Sequence, residues 1–135
     1  MTDQEIFEKL QGLLKNVLGI KPELVKPESV LVTDLGAESI DLLDLSFLIE
    51  DTFGITIEPN EFEKEVKSRI PGGVFEREGA LTPEALEELR RALPEVDQTR
   101  LVPGFRKAEI PSLLTVSVFV RLIRRKLEAP KPPAA

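Results

Sequence analysis

The side chain with the clearest chemical potential in this sequence is the hydroxyl of Ser39, within the stretch DLGAESIDLL from Asp34 to Leu43. The residues before it favour a loop and those after it favour an acidic, apolar helix, which predicts the serine at a helix start. A serine hydroxyl is a weak nucleophile unless a base activates it. The sequence has no His and no Cys, so the Ser-His and Cys-His arrangements are excluded. Ser39 is therefore either a helix cap or a hydroxyl that another protein activates.

The rest of the composition narrows the chemistry further. The sequence also lacks Tyr and Trp, and it contains neither a Gly-rich phosphate loop nor a convincing pair of carboxylates. Without His, the usual general base near neutral pH and the commonest metal ligand are missing. Without Cys, neither a disulfide nor a thiolate can form. We therefore predict no catalytic residue and no metal site, with a carboxylate-based enzyme as an open alternative.

Charge is distributed unevenly along the chain. The net charge is −6, yet residues 27–63 contain ten acidic residues and no Lys or Arg, while the remaining sequence holds 14 acidic and 18 basic residues. Ser39 lies within the acidic segment. Such a surface repels nucleic acid and favours partners that present Lys or Arg, although a solvated face is the plain explanation for acidic residues.

Hydrophobic periodicity predicts four helices around a middle segment that contains Pro and Gly. They are expected over residues 3–18, over 39–53, from Pro59 to about Lys67, and over 115–127. Gly19 and Gly54 are predicted to end the first two helices, and Thr115 or Ser112 to cap the last one. The expected apolar face of the last helix consists of Val116, Phe119, Val120, Ile123 and Leu127.

The loop over residues 20–38 is longer than most connections. We therefore expect it to be functional or to be packed by its own apolar side chains. These are Leu24, Val25, Val30, Leu31 and Leu35.

The middle segment, residues 68–111, is predicted to contain a helix of its own. Thr82 suits the cap, Pro83 the first turn and Pro94 the stop. The face formed by Leu86, Leu89 and Leu93 must be covered. Packing against the other helices is one interpretation, because exposed apolar patches are uncommon. The alternative is that the segment helps to select a partner protein.

The stretch around Ser39 resembles the modification motif of acyl carrier proteins, which usually reads Asp-Ser-Leu after Leu-Gly-Ala or Leu-Gly-hydrophobic. Glu38 and Ile40 replace the usual Asp and Leu and keep charge and apolarity. The resemblance implies an all-α, acyl-carrier-like four-helix up-down bundle with a long first loop and an inserted extra helix. It implies one carrier domain over residues 1–127, with its core at 3–67 and 112–127, the insertion at 68–111, and a disordered tail at 128–135.

The resemblance also implies a function. A transferase would attach phosphopantetheine, donated by coenzyme A, to Ser39, and the arm would hold acyl intermediates as thioesters. The partners would be that phosphopantetheinyl transferase and enzymes of fatty acid, polyketide or related lipid synthesis, with basic docking patches. Two alternatives stay open: a peptidyl or aminoacyl carrier, whose motif usually reads Gly-Gly-(His/Asp)-Ser-Leu, and an unmodified helical interaction module.

Two further groups of residues match positions with roles in this family. The resemblance assigns partner binding to Glu38, Ile40, Asp41, Asp44, Phe47, Glu50 and Asp51. Candidates for the bundle interior, where an acyl chain can be sheltered, are Leu43, Leu45, Ile49, Ile57, Phe62, Val116 and Phe119. Ordinary core packing is the alternative for Ile40, for Phe47 and for every interior candidate.

The first residues of the sequence do not predict a secretory signal peptide. The start, Met-Thr-Asp-Gln-Glu, is acidic, unlike the basic start of a signal peptide. No apolar run approaches the roughly 18 residues of a membrane span. We therefore expect a cytoplasmic protein. The resemblance implies a phosphoprotein, and a monomer is the default expectation.

Overall fold

The computed structural model describes residues 1–57 and 61–128, without the side chains of Glu61, Phe62 and Pro71. The predicted start of the third helix at Pro59 and most of the predicted tail lie outside the described residues. The helices are α1 (Asp3–Leu18), α2 (Ser39–Phe53), α3 (Glu61–Ser68), α4 (Pro83–Ala92) and α5 (Val116–Glu128). Short 3-10 helices occur at Pro22–Leu24, Pro71–Gly73, Gln98–Arg100 and Lys107–Leu113. The predicted all-α fold is confirmed.

Local signals at the ends of α1 explain its length. The Thr2 hydroxyl accepts a hydrogen bond from the Glu5 N–H at 3.2 Å, and the Glu5 carboxylate accepts one from the Thr2 N–H at 3.1 Å. This reciprocal cap satisfies two free donors of the first turn. Gly19 ends the helix with a φ of +67°, a conformation that glycine adopts without steric cost. α1 packs against both α2 and α5, which places it at the centre of the bundle.

The long loop between α1 and α2 is packed partly by its own apolar side chains, which was one of the two expectations. Val25 and Leu31 are buried, whereas Leu24 is exposed. The Gln11 side-chain amide of α1 donates to the carbonyls of Pro22 and Val25, each at 3.1 Å. These bonds hold the loop against α1. The prediction that Leu24 packs the loop is wrong, because its side chain is exposed.

The insertion packs on the bundle. The inner face of α4 and the chain that follows it are buried in the same hydrophobic core as α1, α2 and α5. The Thr82 hydroxyl caps α4 by accepting from the Ala85 N–H, as predicted. The buried side chains of the insertion include Ala85, Leu86, Leu89, Leu93, Val96, Leu101 and Phe105. The face on Leu86, Leu89 and Leu93 is therefore covered by this chain itself.

A salt bridge ties the end of the insertion to α3. The Lys107 ammonium lies 3.0 Å from the Glu63 carboxylate of α3 and 3.5 Å from the Glu76 carboxylate. The hydrogen bond to Glu63, followed by the charges of Glu63 and Glu76, raises the pKa of Lys107. Because this ammonium is partly exposed, we expect the salt bridge to add little to the stability of the fold. It fixes the position of the insertion relative to α3.

A small β-hairpin in the insertion was not expected from the sequence. Its strands are β1 (Glu76–Arg77) and β2 (Ala80–Leu81), which pair antiparallel. The turn residues Glu78 and Gly79 both have positive φ, as two-residue hairpin turns require. The Arg106 guanidinium lies over the turn and donates to the Glu78 carbonyl at 3.3 Å. Two residues per strand are too few for an alternating pattern to be read.

The burial of α5 differs from the predicted single apolar face. Leu127 was expected on that face and is 38% exposed, whereas Val118 and Leu122 are buried. The insertion also contacts α5: the Arg121 guanidinium donates to the Ala92 carbonyl and lies 3.0 Å from the Glu95 carboxylate. Within residues 1–57 and 61–128, no helix is long and apolar enough to cross a membrane.

Candidate attachment site and partner surface

Ser39 is the first residue of α2. Glu38 occupies the cap position, and its N–H donates to the Asp41 carboxylate at 2.9 Å. The Ser39 hydroxyl is exposed and makes no hydrogen bond to any residue that the structure describes. Asp41 therefore supplies a capping bond at this helix start, and the alternative interpretation of Ser39 as a cap is wrong.

The loop before Ser39 is anchored to the bundle. The Asp34 carboxylate accepts from the Val30 N–H at 2.7 Å, and the Ala37 N–H donates to the Leu31 carbonyl at 2.9 Å. Ala37 and Leu31 are buried. Gly36 has a φ of +74°, so a side chain there would strain the backbone. An exposed hydroxyl thus follows directly after a well-held segment.

The local charges suit a phosphate group that is linked covalently. The free N–H groups at the start of α2 favour an anion. The carboxylates of Glu38 and Asp41 oppose that attraction, because like charges repel. A freely diffusing phosphate would therefore gain little here, whereas a phosphodiester on the Ser39 hydroxyl would stay beside the N–H groups. The residues present fit such a group.

One face of α2 is apolar and open to solvent. Ile40, Leu43 and Phe47 are 64%, 54% and 59% exposed. Their spacing of three and four residues places them side by side on the helix. The prediction that Leu43 lies in the bundle interior is wrong, and core packing is likewise wrong for Ile40 and Phe47. The opposite face, which carries Leu45, Ile49 and Phe53, is the buried one.

The predicted acidic residues of α2 fall into two groups. Glu38, Asp44 and Asp51 are exposed. Asp41 and Glu50 are half-buried and each accepts a backbone hydrogen bond, Asp41 from Glu38 and Glu50 from the Ile57 N–H at 2.8 Å. Within the described residues, the carboxylates of Asp44 and Asp51 make no hydrogen bond, so their charge is available to a partner. The sequence alone did not separate these two groups of acidic residues.

The interior candidates are mostly buried in one core. Leu45, Ile49, Val116 and Phe119 are buried, and Ile57 is half-buried against the same core. The side chain of Phe62 lies outside the described residues. A cleft of about 340 Å³ lies elsewhere, between the start of α1, α5 and Glu95, and no interior candidate lines it. Sheltering of an acyl chain by these residues remains a prediction.

These features define a helical bundle in which an exposed serine lies at the start of an acidic helix. A family model described as a phosphopantetheine attachment site matches residues 8–68. The acyl carrier protein of Nitratidesulfovibrio vulgaris is 42% identical over 62 residues, which are 46% of this chain and 82% of that protein. The acyl carrier protein of Petrotoga mobilis is 38% identical over 64 residues, 47% of this chain and 75% of that protein. The chain belongs to the acyl carrier protein family, and its prosthetic group is covalently attached phosphopantetheine.

Apart from its first residue, the insertion lies outside the part matched by the family model. That match ends at Ser68, the first residue of the insertion. Since 62 residues make up 82% of the first relative, that relative is about 76 residues long, against 135 residues here. The contacts between the insertion and the bundle are therefore features of this chain that the family match does not explain.

Proposed function

We propose that this chain holds acyl intermediates as thioesters on a phosphopantetheine arm at Ser39 and presents them to enzymes of fatty acid, polyketide or related lipid synthesis. The observation that carries the proposal is the exposed Ser39 hydroxyl at the start of α2, which makes no hydrogen bond within the described residues. When attached, the group supplies a terminal thiol, which a chain without Cys otherwise lacks. The chain itself contributes the hydroxyl, its presentation and a surface for partners, and is not catalytic.

The exposed face of α2 would bring partners to Ser39. Ile40, Leu43 and Phe47 offer apolar area that becomes desolvated on contact, which is where binding energy concentrates. Asp44 and Asp51 add negative charge that attracts a basic patch over some distance. A phosphopantetheinyl transferase would dock there and provide the base that Ser39 lacks.

Intact mass spectrometry tests the attachment. Incubation of the purified chain with coenzyme A and each of several phosphopantetheinyl transferases is expected to raise the mass by one arm. Omitting coenzyme A should leave the mass unchanged. A chain that stays unmodified with every transferase would contradict the proposal and would favour the unmodified interaction module.

Asp44→Lys tests the acidic surface. Transfer of the arm to Ser39 is expected to fall about threefold to tenfold in kcat/KM at low salt, because the reversed charge repels a basic transferase. The loss should shrink at high salt, where exposed charges are screened. Asp44 is the better choice than Asp41, whose carboxylate also caps α2.

The matched control for this charge reversal is Glu23→Lys. Glu23 is exposed in the 3-10 helix Pro22–Leu24, which Gln11 holds against α1, and the change in net charge is the same. We expect transfer to this variant to be close to wild type. An equal loss for Glu23→Lys would indicate that net charge matters and that the α2 face has no special role.

A further inference from the structure

Arg100, in the insertion, makes two hydrogen bonds to Ser112, which lies in the 3-10 helix Lys107–Leu113 shortly before α5. Its Nη1 donates to the Ser112 carbonyl at 3.1 Å, and its Nη2 donates to the Ser112 hydroxyl at 2.8 Å. The guanidinium also lies 5.8 Å from the centroid of the buried Phe105 ring. Two directed bonds and a ring contact hold a planar guanidinium in one orientation. Arg100 therefore holds both the backbone carbonyl and the side chain of Ser112 in place.

The backbone that follows Ser112 pairs with the loop that leads to Ser39. The Leu31 N–H donates to the Leu114 carbonyl at 3.1 Å, and Val30 and Thr115 form an antiparallel bridge. The Val116 N–H donates to the Ser29 carbonyl at 2.9 Å. Leu31, Leu114 and Thr115 are buried, so water does not readily replace these bonds.

The same loop residue also holds the backbone next to the attachment site. The Leu31 carbonyl accepts from the Ala37 N–H at 2.9 Å, and Ala37 is two residues before Ser39. Leu31 thus bonds to Leu114 on one side and to Ala37 on the other. A shift of the backbone after Ser112 would be passed to Ala37 through two buried hydrogen bonds.

We propose that Arg100 is a positioning residue for Ser39: by holding Ser112, the insertion sets the place of the loop that presents the hydroxyl. This rests on the proposed function of Ser39 and adds a role for a segment outside the family match. A shift of about 1 Å at a reacting group can cost up to about a hundredfold in rate. We expect docking on α2 to be unaffected, because the hydrogen bonds of Arg100 go to Ser112 and its ring contact to Phe105.

Arg100→Met tests the proposal, because it keeps an apolar stem and removes the donors. In transfer of the arm from coenzyme A by a phosphopantetheinyl transferase, kcat is expected to fall about tenfold with little change in KM for the carrier. Hydrogen exchange at the Leu31 and Ala37 amides should become faster. Arg100→Lys should restore part of kcat, since an ammonium can still donate to the Ser112 carbonyl.

Two controls separate positioning from a loss of stability. Leu93→Ala removes a buried side chain of the insertion, and at a temperature where it remains folded its kcat should equal that of wild type. Arg91→Met removes an exposed guanidinium that pairs with Glu87 and Glu88 and should change neither kcat nor exchange.

The outcomes are distinct. Unchanged kcat and unchanged exchange in Arg100→Met would overturn the proposal, and so would an equal loss of kcat in folded Leu93→Ala. Absence of modification in the wild-type chain would contradict the role of Ser39 instead. In that case exchange at Leu31 and Ala37 would still decide whether Arg100 holds the loop.

Discussion

Ser39→Ala is expected to abolish the mass increase that coenzyme A and a transferase produce in the wild-type chain. The variant lacks the proposed attachment oxygen, so the loss should be complete. Because the Ser39 hydroxyl makes no hydrogen bond with the described residues, thermal stability should be almost unchanged. A true serine cap would lose about 1 kcal/mol on the same substitution. Mass spectrometry and thermal unfolding of one variant thus test attachment and capping together.

Ser46→Ala is the matched control for this prediction. Ser46 also lies on α2, but its hydroxyl donates to the Leu42 carbonyl at 3.0 Å and is half-buried. Modification of Ser46→Ala should proceed as in wild type. A mass increase that persists in Ser39→Ala would move the attachment to another residue and contradict the proposed function.

Leu89→Ala is expected to lower the free energy of unfolding of the whole chain by about 3 kcal/mol. Leu89 is fully buried in α4, and removal of a buried leucine side chain leaves a cavity that the surroundings fill only in part. We propose that residues 1–127 fold as one domain, because the core is continuous from α1 through α4 to α5. Urea unfolding followed by circular dichroism should show one transition, shifted to lower urea.

Hydrogen exchange shows whether this loss reaches the bundle. In Leu89→Ala, the slowest amides of α2, such as that of Ile49, should lose protection along with those of α4. The exposed Val102, also in the insertion, gives the control: Val102→Ala should change stability by less than about 0.5 kcal/mol. Protection of α2 that is unaffected by Leu89→Ala would mean that the insertion unfolds separately.

Ser39→Ala tests a conclusion that came mainly from the sequence, whereas Leu89→Ala tests one that came from the folded structure. The ends of α1 and α2 and the start of α4 were predicted at the residues where the structure has them. Each depends on neighbours in the chain: a hydroxyl cap at Thr82, and glycines at Gly19 and Gly54 that adopt positive φ. The motif around Ser39 is equally local, and it led to the family that the comparisons confirm.

The orientation of α2 and α5 could not be predicted in the same way. Both helices are apolar on more than one side, so periodicity alone does not indicate which side is covered. Leu43 is exposed because the bundle covers the face of Leu45 and Ile49. Val118 and Leu122 of α5 are buried outside the predicted face, and Arg121 of the same helix contacts Ala92 and Glu95 of the insertion. These neighbours come from distant parts of the sequence.

The state of Ser39 combines both kinds of information. Its residue type and its motif were evident from the sequence and pointed to attachment. Only the folded chain shows that Asp41 provides the capping bond and that the Ser39 hydroxyl makes no hydrogen bond within the described residues. Only the folded chain shows that Arg100 holds Ser112, and that two buried hydrogen bonds link the backbone after Ser112 to Ala37. Helix signals act between residues a few positions apart, whereas the loop before Ser39 is held by residues about 80 positions further along the chain.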